Sequence, residues 1–270
     1  MLRAPMTTAP SARDRSGVVA RLRAAGCVFA EDEARLLVAS AATPAELAAM
    51  VERRVAGQPL EHVLGWAEFL GLRIAVDAGV FVPRRRTEFL AGQAIALARA
   101  GAVVLDLCCG SGAVGAALAA TVPGIELYAV DIDAPAVRCA RRNLAEAGGR
   151  VYRGDLYEPL PVTLRGRVDV LVANAPYVPT ESIGLMPPEA RLHEPRAALD
   201  GGPDGLDVLR RVAAAAPAWL APAGHLLVET SARQAPATVE AVAAAGLVPR
   251  VVTAPERGAT VVVATAAPPG

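Results

Sequence analysis

The sequence contains no lysine: all 27 basic residues are arginine, and 27 acidic residues balance them to a formal net charge of zero. A chain that lives on nucleic acid usually carries a basic surplus, so no stable nucleic-acid binding is expected. The abundance of Arg, Ala, Gly and Pro reads as the codon usage of a GC-rich genome, and Ala-rich stretches therefore carry no functional weight. Cysteine is scarce. Cys27, Cys108, Cys109 and Cys139 match no zinc spacing and no disulfide framework, and Cys108 and Cys109 read as small packing residues rather than a redox pair. A reducing cytoplasm is the expected setting. His62, His193 and His225 are scattered with no HxxxH spacing, so no metal is assigned; His193, near a candidate acceptor loop, reads as a surface residue. No apolar run approaches the ~18 residues that span a membrane, the N-terminus has no apolar signal core, and Met1 to Ser16 reads as a polar tail.

What is present is a long chain rich in apolar residues. Its 270 residues suit a catalytic domain of roughly 190 residues plus a small N-terminal domain. Residues 1–56 read as a helical domain: Val18, Val19 and Leu22 share one face, and Ala34, Leu36, Leu37 and Val38 open a second helix. Thr43-Pro44, with Glu46 behind, caps a third. Residues 57–86 read as a linker holding much of the little aromatic content, Trp66, Phe69 and Phe81. There Leu72 to Val76 and Val80 to Val82 predict a β-hairpin. Residues 87–270 alternate helix and strand. Val103 to Leu105, Glu126 to Val130, Val151-Tyr152, Val168 to Val172 and His225 to Glu229 predict strands, with helices between them. Val248 to Val252 and Thr260 to Ala264 predict a closing antiparallel pair. The fold class is α/β, a mostly parallel doubly wound sheet with helices on both faces.

Two strand ends and a turn predict a nucleotide site. Val104-Leu105-Asp106-Leu107 runs into Cys108-Cys109-Gly110-Ser111-Gly112, a glycine turn before a helix, where backbone can pass close to a ligand. Asp131 ends the next strand, placed to accept two ribose hydroxyls. Asp155, after the third strand, is placed to meet an adenine amino group. The shortened turn, with Asp106 just before it, favours S-adenosylmethionine over a dinucleotide. These positions resemble the class I S-adenosylmethionine-dependent methyltransferase fold. Cys108 stands where that fold has glycine, which is tolerable if its φ stays negative. Asp106, Cys108, Gly110, Gly112, Asp131, Ile132, Asp155, Leu156 and Asn174, with Arg84 and Thr87, form the expected cofactor set.

Asn174-Ala175-Pro176-Tyr177 follows the fourth strand and resembles the (D/N)PPY signature of methyltransferases that modify a planar nitrogen. An amide or exocyclic amino nitrogen is a poor nucleophile because its lone pair is delocalised. The Asn174 side-chain oxygen and the Ala175 carbonyl can each accept one N–H, aligning the nitrogen and offsetting developing charge. Pro176 stiffens the turn, and Tyr177 packs on the acceptor plane.

The resemblance extends further. Gly57-Gln58-Pro59-Leu60-Glu61-His62-Val63-Leu64-Gly65, Glu68-Phe69 and Gly71 are similar to the linker signature of the HemK/PrmC family of protein-(glutamine-N5) methyltransferases. Phe81-Val82-Pro83-Arg84-Arg85-Arg86-Thr87-Glu88 resembles that family's IPRxxTE segment, with Arg85-Arg86 where Pro-Asp or Pro-Glu is usual. Glu194 to Leu199, Gly201 to Gly205, and Glu229-Thr230-Ser231 with Gln234 follow its pattern downstream. The resemblance implies methylation of the glutamine side-chain amide in the GGQ tripeptide of class I peptide release factors. It also implies a helical domain that holds the protein substrate. Ala175, Cys108, His62 and Arg85-Arg86 depart from the pattern as in a divergent paralogue. They leave the reaction type intact and keep two alternatives open: methylation of a small-molecule or peptide natural product, and of adenine N6 in nucleic acid.

Overall fold

The computed structural model describes residues 12–266. The first helix, α1 (Ala12–Ala24), starts inside the stretch expected to be a tail, the rest of which lies outside the described residues. With α2 (Ala30–Ser40), α3 (Pro44–Val55) and the short α4 (Leu60–Leu64) it forms a bundle with its own core of Val18, Leu22, Leu37, Leu47 and Val51. Thr43 caps α3 as expected, its Oγ1 accepting from Glu46 N at 3.1 Å while Glu46 accepts from Ala42 N at 2.7 Å.

The linker hairpin differs from the predicted one. β1 (Trp66–Phe69) pairs with β2 (Leu72–Ala75) around Leu70 and Gly71, both at positive φ, the geometry a two-residue hairpin turn demands. Val80 to Val82 makes no strand. Val80 and Val82 bury their side chains against Ala67, Val76, Ala136 and Cys139, and the Val82 amide donates to the Glu194 carboxylate. Phe69 and Ile74 pack into the core of the large domain, so the hairpin belongs to that domain's body.

The large domain follows as α5 (Thr87–Leu97), β3 (Val103–Leu107), α6 (Ala113–Thr121), β4 (Glu126–Asp131), α7 (Ala134–Asn143), β5 (Arg150–Arg153), β6 (Val168–Ala173), α8 (Pro188–His193), α9 (Asp207–Ala215), β7 (Leu220–Thr230), α10 (Ala235–Ala244), β8 (Leu247–Ala254) and β9 (Ala259–Ala266). Seven strands form one sheet in the order β5-β4-β3-β6-β7-β9-β8, parallel through β7 and antiparallel at β9 and β8. Apolar cores cover both faces. Strand order reverses between β3 and β6, so a crevice opens beyond their C-terminal ends. Among the described residues no helix is long and apolar enough to cross a membrane.

Candidate active site

A cavity of about 460 Å³ occupies that crevice. Its first side is built from β3, β4 and β5. After β3 the chain turns through Cys108, Gly110 and Gly112, all at positive φ. The left-handed Cys108, at φ 56°, corrects the expectation of a negative angle. The turn imposes that conformation whatever side chain is there, at a cost of about 1–2 kcal/mol for a non-glycine residue. Gly110 N donates to Asp131 Oδ2 at 2.8 Å, and Asp133 N donates to Oδ1 at 2.9 Å. Asp131 thus ties the turn to the β4 end while lining the cavity.

Gly112 is not part of the lining. It starts α6 at φ 79°, and a Cβ there would lie 3.2 Å from Ala140 Cβ and Leu144 Cγ. Its glycine serves helix packing rather than ligand approach. Asp106 lines the cavity from the end of β3, 2% exposed, and accepts from Gly115 N at 3.1 Å. Burial pushes its carboxyl up to about 7 and raises that of Asp131 as well; among the described residues neither makes an ion pair. Ile132 and Leu156 line the same side, Leu156 at φ 48°. Asp155 lines it too, with Oδ2 paired to Arg211 Nη2 at 2.6 Å.

The second side is built from β6, β7 and the segment before α5. Asn174, Ala175, Pro176 and Tyr177 all line the cavity, as do Arg84 and Thr87. Asn174 Nδ2 donates to Thr87 Oγ1 at 3.4 Å. That bond uses one of the two amide hydrogens and orients the side chain, and Oδ1 accepts no hydrogen bond among the described residues. Tyr177 is fixed at both ends: its hydroxyl donates to Glu229 Oε1 at 3.0 Å, and its carbonyl accepts from Gln234 Nε2 at 2.9 Å. The Gly201–Gly205 loop presses on the same backbone. A Cβ on Gly201 would stand 2.7 Å from Pro176 O, and one on Gly205 2.4 Å from Tyr177 O.

The ion pairs around the cavity, including that of Arg84 from the expected cofactor set, were not read from sequence. Arg86 Nε donates to the buried Glu229 Oε1 at 3.1 Å. Arg84 pairs with the buried Glu194 and lies over the Phe81 ring. A third wall comes from Met186, Pro187, Glu189 and Ala190. Arg54 of the bundle holds that wall, donating to Glu189 Oε1 and, at 2.7 and 3.0 Å, to Glu33. These partners stand 21 to 143 residues apart in the chain, beyond the reach of any local spacing.

Residues 72–205 match the family described as "Methyltransferase small domain". A release factor glutamine methyltransferase from Geobacter sulfurreducens is 43% identical over 197 residues, covering 71% of this chain and 68% of that protein. The chain belongs to the release factor glutamine methyltransferase family. A 4-amino-L-phenylalanine/4-methylamino-L-phenylalanine methyltransferase from Streptomyces pristinaespiralis is also 39% identical, over 68% of this chain and 65% of its own length. A methyltransferase from Pyrococcus furiosus superposes with a TM-score of 0.55 at 15% identity, over 80% of this chain and 97% of that one, and shows the shared fold.

As a member of this family the chain is an S-adenosylmethionine-dependent methyltransferase. The donor set fits that molecule. S-Adenosylmethionine carries a sulfonium and an ammonium, and the buried Asp106 has no cation of its own among the described residues, while the half-buried Asp131 keeps a carboxylate on the cavity.

Proposed function

We propose that the chain methylates the side-chain amide nitrogen of a glutamine in a protein, with a class I peptide release factor as the substrate. The observation that carries this reading is the Asn174 side chain at the end of β6. Its Nδ2 donates one hydrogen to Thr87, which orients the amide, and Oδ1 is left to accept an N–H. The Ala175 carbonyl, which accepts no hydrogen bond among the described residues, is the second acceptor. Two acceptors hold both hydrogens of a primary amide in plane and direct the nitrogen lone pair at the methyl group.

In this reading S-adenosylmethionine supplies an electrophilic methyl group on a sulfonium. The chain's residues do the rest. Asp131 would hold the ribose hydroxyls, and Asp155, Leu156 and Ile132 would hold the adenine. Asp106 and the Cys108–Gly110 turn, with Arg84 and Thr87, would hold the methionine portion. Asn174 and Ala175 stabilise positive charge as the nitrogen–carbon bond forms and the carbon–sulfur bond breaks. No strong base is required, because the methylated nitrogen, once cationic, gives its extra proton to water. Tyr177 and Pro176 hold the amide plane.

The helical domain, expected over residues 1–56 and extended by α4, docks the protein substrate beside a catalytic domain that includes the β1–β2 hairpin. Val28 and Phe29, 83% and 69% exposed on the bundle, support that role.

The test is incubation of the purified chain with labelled S-adenosylmethionine and, together in one reaction, recombinant release factor and 4-amino-L-phenylalanine, with mass spectrometry of the products. Label on the glutamine amide of the GGQ tripeptide is expected. Label on a free aromatic amino acid instead would overturn the reading and favour the small-molecule alternative, which the Streptomyces pristinaespiralis relative supports.

A further inference from the structure

We propose that Arg86 is a specificity-determining residue of the acceptor site, one that binds a peptide carbonyl of the substrate beside the methylated amide. The inference deepens the glutamine reading and rests on it.

Arg86 lines the cavity next to Thr87, which holds Asn174, and its guanidinium carbon stands 5.8 Å from the Tyr177 ring centroid. It therefore stands beside Tyr177 of the acceptor motif and next in the chain to the residue that holds Asn174. Nε donates to Glu229 Oε1 at 3.1 Å, and the guanidinium also leans on the Tyr177 side chain. The side chain is 43% exposed. The remaining N–H donors of a rigid planar fork are thus presented at the cavity.

The charge around this fork selects the ligand class. Glu229 is 1% exposed at its side chain and already offsets the guanidinium charge. A second full anion would meet an ion pair of zero net charge, whereas a neutral carbonyl needs only the directed donors. Arg84 is neutralised in the same way by Glu194. A protein substrate brings peptide carbonyls on either side of its glutamine; a free aromatic amine brings none there. Arg86 would so favour a glutamine within a chain over a lone amide.

The alternative role for Arg86 is to offset the buried Glu229 charge and nothing more. Three variants of the full chain separate the two roles, each assayed on recombinant release factor, with calorimetry of S-adenosylhomocysteine as the control for an intact cofactor side. Arg86→Lys keeps the charge and loses the fork. Arg86→Ala removes both. Arg86→Ala with Glu229→Gln removes the fork and the charge that needed offsetting. If Arg86 binds the substrate, all three raise KM for the release factor by about tenfold, the scale of one charge-assisted hydrogen bond. kcat changes less, and S-adenosylhomocysteine affinity stays within about twofold. A wild-type KM in Arg86→Lys, or its return in the double variant, overturns the inference while leaving the glutamine reading in place. Failure of the wild-type chain to methylate the release factor overturns the reading and the inference together.

Discussion

The two sides of the cavity handle charge in opposite ways. At the ends of β3 and β4, the buried Asp106 and half-buried Asp131 have backbone N–H partners and no cation among the described residues, and their carboxyls are shifted upward by the loss of water; Asp155 beyond β5 is the exception, paired with Arg211. On the opposite side, the buried carboxylates Glu229 of β7 and Glu194, just after α8, are each paired with an arginine. A buried carboxylate without a counter-charge is costly. The first side is therefore suited to a ligand that brings positive charge, the second to one that brings none. A cationic methyl donor and a neutral amide acceptor match that division.

The sharpest way to break this comparison is at Asn174. Asn174→Ala should lower the single-turnover rate roughly a hundredfold, about 3 kcal/mol of barrier, and leave cofactor affinity nearly unchanged. A parallel fall in melting temperature and cofactor affinity, with the folded fraction fully active, would make Asn174 a structural residue. Next in size is Asp131→Ala, which should weaken S-adenosylmethionine binding by ~1.5–3 kcal/mol. Unchanged affinity in calorimetry would remove the ribose assignment.

A smaller effect follows from Asp106. An unfolded Asp ionises near pH 3.9, and burial holds the folded carboxyl up to about 7. The folded chain thus keeps a proton that the unfolded chain has released. Its contribution to stability is full below about pH 4 and is lost as pH rises through about 7. Denaturant midpoints measured from pH 4.5 to 8 should fall less steeply in Asp106→Asn than in the wild-type chain. A cationic donor favours the ionised carboxylate, so cofactor affinity should rise with pH below about 7, by at most tenfold per unit for one proton released. A flat affinity profile would separate Asp106 from the cationic ligand.

The smallest effect concerns the turn. Cys108→Gly should relieve the left-handed strain and stabilise the chain by about 0.5–1 kcal/mol, the entropy of the added glycine offsetting part of the gain. A destabilised variant would mean that Cys108 packing against the core outweighs its backbone cost.

The first side of the cavity was far more legible in the sequence than the second. Asp106, Asp131 and Asp155 stand at the ends of strands or just beyond, and strands announce themselves through apolar runs and spacing. Asn174 to Tyr177 was legible for the same reason, being attached to β6. What could not be read were contacts made across the fold. Arg86 meets Glu229 143 residues away, and Arg54 meets Glu189 135 residues away. Local conformation failed where the turn overrode the side chain, as at Cys108, and where glycine answered packing rather than a ligand, as at Gly112. Val80 to Val82 alternated like a strand because alternate side chains are buried, yet its backbone bonds to a carboxylate instead of a neighbouring strand.

The ends of the large sheet bear on behaviour at high concentration. β5 and β8 are its outermost strands, each with one backbone edge open to pairing by another chain. Arg150 and Arg153 stand exposed on β5, and Arg250 on β8 beside Pro249, which has no N–H to offer. Bringing two copies edge to edge would press like-charged guanidinium groups together and leave a gap in the ladder at the proline. In a chain without lysine, the residue that most often guards such edges, arginine has taken over protection against open-ended strand stacking.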